Sequence, residues 1–378
     1  MSCNPSTESS DYMGQAYPDT VPMVFAPDLV SVKGRFEHGI SFTPDMQELA
    51  FGVLRNSDFS GLLYYSKKVD DGWTIPEIFK ALKNESVYLP YFSPDGKFLL
   101  YTQSKSDTAN SYKDIWVIEK NDNRWSNPKK LKVPLNEQSS VSNACMSLDG
   151  SIYFSSNINC IGKDNCHTAD LFCSKRIENQ YQSVDEIHEL NSPYDEESVF
   201  ISPKGDFMIL CRYVSDENGP DLLISYRDLN RNWTQPTILD LTINTTDWER
   251  RPFVSFDNKY LFFTKLFFDT RGLVESDIYW VNTKRVFKPF VFNPISELTI
   301  TLGEKTQISI PSDYFKDIDD KKLRLSIGSK DLNWIEFNDE AMVLTMTPNQ
   351  IGEFELIVTG TDNFSNMTES KVKVSVVE

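Results

Sequence analysis

One short pattern recurs between residues 42 and 258 and limits what this chain can fold into. An apolar stretch meets a Ser/Thr-Pro-Asp-Gly turn, or a relative of it, and an alternating apolar run follows. The pattern reads Phe42-Thr43-Pro44-Asp45, Phe92-Ser93-Pro94-Asp95-Gly96, Met146-Ser147-Leu148-Asp149-Gly150, Ile201-Ser202-Pro203-Lys204-Gly205 and Val254-Ser255-Phe256-Asp257-Asn258. Its copies lie 50, 54, 55 and 53 residues apart. Proline presets φ, aspartate caps the turn with its side chain and glycine accepts positive φ, so each copy is a hairpin turn and not a catalytic signature. A period near 50 with several strands per unit predicts β-propeller blades.

The rest of each unit agrees. A second strand follows the turn, as in Phe98–Thr102 and Tyr260–Thr264. A third opens on aspartate, at Asp114, Asp170, Asp221 and Asp277. A Trp-x-x-Pro segment closes the unit at Trp73/Pro76, Trp125/Pro128 and Trp233/Pro236, whereas the third unit has Tyr181 and no proline. The fifth unit lacks this last strand, and orphan strand-like segments precede the first (Val21–Phe25, Leu29–Val32). An N-terminal strand that completes the last blade hides the sheet edges. The expectation is therefore an all-β chain: a five-bladed β-propeller over residues 21–287, closed by its N-terminus, with six blades as the alternative. Residues 1–20 are expected as a flexible tether.

These units resemble the TolB-type, WD-repeat-like propeller repeat of exported bacterial proteins. The resemblance covers about 70% of the chain, from roughly residue 22 to 287. It implies fold and compartment; its relatives include binding scaffolds, oligogalacturonate lyase and the propellers of prolyl peptidases, so activity does not follow.

Residues 288–378 change pattern. About seven short alternating strands, among them Leu323–Ile327, Val343–Met346, Phe354–Val358 and Val372–Val377, predict a β-sandwich. Phe315-x-Asp317-x-Asp319, the Trp334-x-x-Phe337 strand, Gly352-Glu353-Phe354 and Thr361-Asp362 resemble a dystroglycan-type cadherin-like module. In its calcium-binding relatives Asp-x-Asp and a later Asp gather around the ion, which implies Asp317, Asp319 and Asp362 here; a solvated acidic turn is the alternative. Calcium takes six to eight oxygens, and no other cofactor is implied.

Cys3 follows a small residue and precedes a Ser/Thr/Asp-rich stretch, the look of a mature lipoprotein N-terminus. The expectation is an exported, lipid-anchored protein of the periplasm or cell surface, without a further membrane span, because no run of about 18 apolar residues occurs. In an oxidising compartment Cys160 and Cys166 bracket a loop that a disulfide closes. Zinc, with His167 beside them, competes, but a structural zinc needs four ligands. Net charge is −17, which repels phosphate backbones and argues against nucleic acid.

A propeller binds at one mouth of its channel, where the inner strands begin. Counting back eight and seven positions from each turn aspartate gives Glu37 and His38, Val87 and Tyr88, Val141 and Ser142, Glu196 and Glu197, and Glu249 and Arg250, with Trp248 adjacent. Glu37, Glu196 and Glu249 share one level and are the catalytic candidates if the chain is an enzyme, as paired carboxylates suit glycoside chemistry. His38, Tyr88, Glu197, Trp248 and Arg250 complete a polar, sugar-stacking ligand site. The alternative is strand residues that tie neighbouring blades together. Three dispersed histidines and no Gly-x-Ser-x-Gly argue against a serine triad. The expected function is a monomeric binding or scaffold protein for a glycan, peptide or protein partner, in preference to an enzyme; the alternative is a glycan-active hydrolase or lyase.

Overall fold

The computed structural model describes residues 12–378 apart from 71, 108–109, 122–123, 135–139, 162, 164–167, 216–218 and 329–331. Among the described residues there is no α-helix; three 3₁₀ turns interrupt an all-β chain. Two compact units form, Met1–Tyr226 with Trp233–Asn282, and Arg227–Asn232 with Thr283–Glu378. The expected boundary after residue 287 thus falls after 282.

Five antiparallel strand sets, here called sheets, make the first unit; the first and the fifth are joined through a parallel pairing of Phe36 with Ser276. Each begins with an inner strand: Phe36–Phe42, Val87–Phe92, Val141–Met146, Asp195–Ile201 and Trp248–Val254. Each inner strand pairs with the strand after its turn, which pairs with a third. Short outer strands follow at Glu77–Ile78, Lys129–Lys130 and Thr237–Ile238, and a longer one, Gln180–Glu186, in the third sheet. In the fifth sheet Met23 and Val24 pair antiparallel with Trp280 and Tyr279. Inner strands of successive sheets pack against one another, and that of the fifth packs against that of the first.

The recurring turns carry one device. The Thr43, Ser93, Ser147 and Ser255 hydroxyls each donate to the turn aspartate at 2.6 Å. In the fourth repeat Lys204 stands where the others have aspartate, and Asp206 supplies the carboxylate instead, taking the Ser202 hydroxyl at 2.5 Å. The same oxygen accepts the N–H that opens the next strand, from Glu48, Phe98, Phe207 and Tyr260. A hydroxyl that both donates and accepts satisfies backbone the hairpin would otherwise bury unpaired. The residue after tryptophan in Trp-x-x-Pro works alike: Thr74, Ser126 and Thr234 accept N–H groups of Lys67, Glu119 and Tyr226.

Tyr12 and the described residues after it fall within the segment expected as a tether. Tyr12 is buried against Phe42, Tyr260, Phe262 and Trp280, with centroids 5.0–5.7 Å away. An aromatic ring placed in a five-ring cluster removes too much apolar surface from water to stay loose.

The second unit holds a four-stranded sheet (Leu298–Thr301, Met367–Val377, Gly352–Thr361, Arg324–Gly328) and a three-stranded one (Thr306–Ser309, Val343–Met346, Ile335–Asn338). Alternate residues of both, including Leu344, Met346, Leu356, Val358 and Val374, share one core with Tyr314 and Trp334. This is the half-buried alternation read from the sequence.

Ser255→Ala should lower stability by about 1–2 kcal/mol, because the Tyr260 N–H loses its buried acceptor. A lower urea midpoint at unchanged slope is the expected record.

Candidate functional site

All five inner strands break register at the same level. The shifts fall between His38 and Ile40, Tyr88 and Tyr91, Ser142 and Cys145, Glu196 and Ser198, and Arg250 and Phe253. These are bulges, which re-aim side chains. Four of the five residues at this level take left-handed backbone: Gly39 (φ 71°), Leu89 (φ 57°), Asn143 (φ 55°) and Arg251 (φ 59°). Glycine and asparagine accept that region readily; leucine and arginine pay about 1–2 kcal/mol each. With Ser198 they line a cavity of about 40 Å³, floored by Tyr91 and Phe253. That volume holds a water or two but no sugar ring. A larger ligand has to rest on the mouth above it.

Polar groups gather there. Arg251 Nε donates to His38 Nε2 at 3.2 Å and its Nη1 to Asn143 Oδ1 at 3.2 Å. The Asn143 amide donates to the Glu197 carbonyl. Arg250 pairs with Glu197 at 2.8 Å and stacks over Trp248, 4.7 Å from the ring centre. Lys113, from the third strand of the second sheet, lies 5.9 Å from the Tyr88 ring centre. Tyr88 meets His38 edge to face, and Tyr213 and Phe268 flank Trp248. Two glycines make room: a Cβ on Gly61 would sit 2.7 Å from Tyr88, and one on Gly219 (φ 66°) 2.4 Å from Trp248.

Burial, then the charges of Arg251, Lys113 and Arg250, hold His38 well below the usual histidine range, so it is neutral at pH 7. Because Arg251 donates to Nε2, the imidazole proton sits on Nδ1, which is buried with no acceptor among the described residues. Desolvation, then Arg251, lowers Lys113. Burial, then the neighbouring Glu197, raises Asp195 to about 6 against the N–H it accepts from Ala169.

Contacts therefore join His38, Tyr88, Glu197, Trp248 and Arg250 in one network with Arg251 and Asn143, and Glu37, Glu196 and Glu249 stand apart from it. Those three are fully buried and turned into their own sheets. Glu37 takes Arg35 at 2.6 Å. Glu196 takes Arg212 at 2.7 Å and the Ser192 hydroxyl at 2.5 Å, and Glu249 takes the Thr245 hydroxyl at 2.7 Å, with Lys265 at 3.5 Å. Burial raises all three, Glu37 to about 7. They line no part of the central cavity. As catalytic carboxylates they are a correction: they tie loops to strands.

Counting positions missed Arg251 and Asn143, because a bulge adds a residue and turns the next side chain to the other face, and missed Lys113 because it comes from another strand. A signal was present: Gly39, Pro90 and Pro252 interrupt inner strands, and glycine or proline inside a strand marks a bulge.

In the second unit the expected calcium set is a second correction. Asp362 accepts the N–H groups of Phe364 and Asn366 and the Asn366 amide. Asp317 accepts the Asp319 N–H. Among the described residues no group of three or more His, Cys, Asp or Glu side chains is placed to hold a metal. The residues present do not fit the ion; Asp362 is spent on its own turn. Burial and the adjacent Asp317 raise Asp319 to about 8. Cys160 is disulfide-bonded; Cys3, Cys166 and His167 lie outside the described residues.

No protein-family model matches the chain, and no curated protein does. Among solved structures, the catalytic domain of a Coprinopsis cinerea GH62 α-L-arabinofuranosidase is similar at 8% identity over 71% of this chain and 98% of that one, TM-score 0.43. An oligogalacturonate lyase in complex with manganese is similar at 16% identity over 66% of each, TM-score 0.37. Prolyl oligopeptidase B from Galerina marginata is similar at 9% identity over 85% of this chain and 38% of that one, TM-score 0.36. This chain thus spans about two thirds of the lyase's length and well under half of the peptidase's. None of these likenesses transfers an activity or a ligand.

Two outcomes follow from the buried acids. Arg212→Met should cost about 3–5 kcal/mol by leaving Glu196 buried without its cation, read as a fall in the first unit's denaturation midpoint. The raised Asp319 favours the protonated fold, so the second unit should lose stability as pH rises from about 4 to about 8. Asp319→Asn should flatten that slope in melts taken across the range.

Proposed function

We propose that this chain is an exported glycan-binding protein. Its first unit reads as a five-bladed propeller closed by the N-terminal strand, and its second as a cadherin-like sandwich that acts as spacer or adhesion module. Cys3 is the proposed lipid anchor, and the periplasm or cell surface the proposed compartment. The observation that carries the reading is the common bulge: one level in five strands where strained backbone, donors, acceptors and half-buried aromatic rings meet. Flat rings beside fixed polar groups suit a sugar, whose C–H face stacks while its hydroxyls hydrogen-bond.

One observation favours a second reading, a glycan-active hydrolase or lyase. Asp195 and Glu197 interact at the mouth with Asp195 raised to about 6. A carboxyl raised toward neutrality is how a site keeps a general acid available. The pair replaces Glu37, Glu196 and Glu249 in that role.

A panel of fluorescent oligosaccharides separates the readings. The binding reading expects retention of intact glycan and a loss of about tenfold in Trp248→Ala, or about 1.4 kcal/mol. Shortened products that vanish in Asp195→Asn would establish turnover instead. No retention of any glycan would remove both.

A further inference from the structure

Two buried donors around Arg251 lack acceptors among the described residues. Arg250 is paired with Glu197, but its Nε is buried without an acceptor, as is His38 Nδ1. Arg251 forms no ion pair with any described residue: its partners are the neutral His38 ring, the Asn143 carbonyl oxygen and, through its backbone N–H, Ser198. Burial disfavours its charge, and the charge of Glu197 is the largest influence that opposes this. Lys113 adds a further cation nearby. A desolvated guanidinium without a carboxylate is costly, and it is held in left-handed backbone at added cost. An incoming anion relieves the electrostatic part and supplies acceptors to the orphaned donors.

Shape narrows the anion. Arg251 lines a cavity too small for a sugar ring, so only a small head group reaches it. A planar carboxylate matches the guanidinium fork. The chain as a whole carries −17, which repels a long polyanion and tolerates a single acidic residue or a short acidic oligomer. Resting on the glycan reading above, we infer that the ligand is an acidic sugar whose carboxylate docks on Arg251.

Titration calorimetry on the full chain tests this with two probes, trigalacturonic acid and its fully methyl-esterified form. The acid should bind at least tenfold tighter, with the preference shrinking as salt is raised. Arg251→Gln should bring the ratio close to one, and Arg251→Lys should restore part of it. Equal binding of acid and ester by the unmodified protein overturns carboxylate docking and leaves the glycan reading standing. Binding of neither probe, with a retained neutral glycan on the panel, also overturns the inference alone; binding of no sugar overturns the glycan reading with it.

Discussion

The bulge common to the five inner strands is the constraint on which the first unit's chemistry depends. In a regular strand, residues two apart face the same way, and the level containing Glu37, Glu196 and Glu249 would share a face with Gly39, Ser198 and Arg251. The register breaks divide them. Glutamates go into the sheets to meet Arg35, Arg212 and Lys265, and Gly39, Ser198 and Arg251 turn to the central cavity. One backbone irregularity, repeated five times, thus separates a buried acidic layer from a cavity-facing one.

Each layer follows its own electrostatic rule. The buried glutamates are provided for: each of the three has a cation and a local N–H as well, so their charges are costly but answered. The mouth is answered only in part. Arg250 and Glu197 complete one another, while Arg251 rests on neutral partners and His38 keeps an unused N–H. Incomplete pairing beside strained backbone is the pattern expected where a fold has stability to give up for a ligand.

Much of the architecture was legible before any coordinates. The five turn motifs mark real hairpins, and the orphan strand at residues 23–24 does lie on the fifth sheet. Those features are local and periodic, and periodicity is what a sequence displays best. The fourth repeat's Lys204 looked like a lapse; Asp206 repairs it two residues later, a substitution visible only in the hydrogen bond to Ser202. Of the network around Arg251, counting named His38, Tyr88, Glu197 and Arg250, whereas Arg251 and Asn143 hide behind the bulge, and Lys113 arrives from a different strand of the second sheet. The acidic turn at Asp317–Asp320 misled because spacing shows which carboxylates are near one another but not which are already occupied by backbone donors.

If the strain and unpaired charge of Arg251 serve a ligand, then the fold itself does not need them. Thermal melting of Arg251→Gly tests this directly, since glycine adopts φ near 59° without penalty and removes a desolvated cation. The account predicts a first-unit midpoint at or above that of the unmodified protein. A midpoint several degrees lower would contradict it, by showing that Arg251 holds the five sheets together.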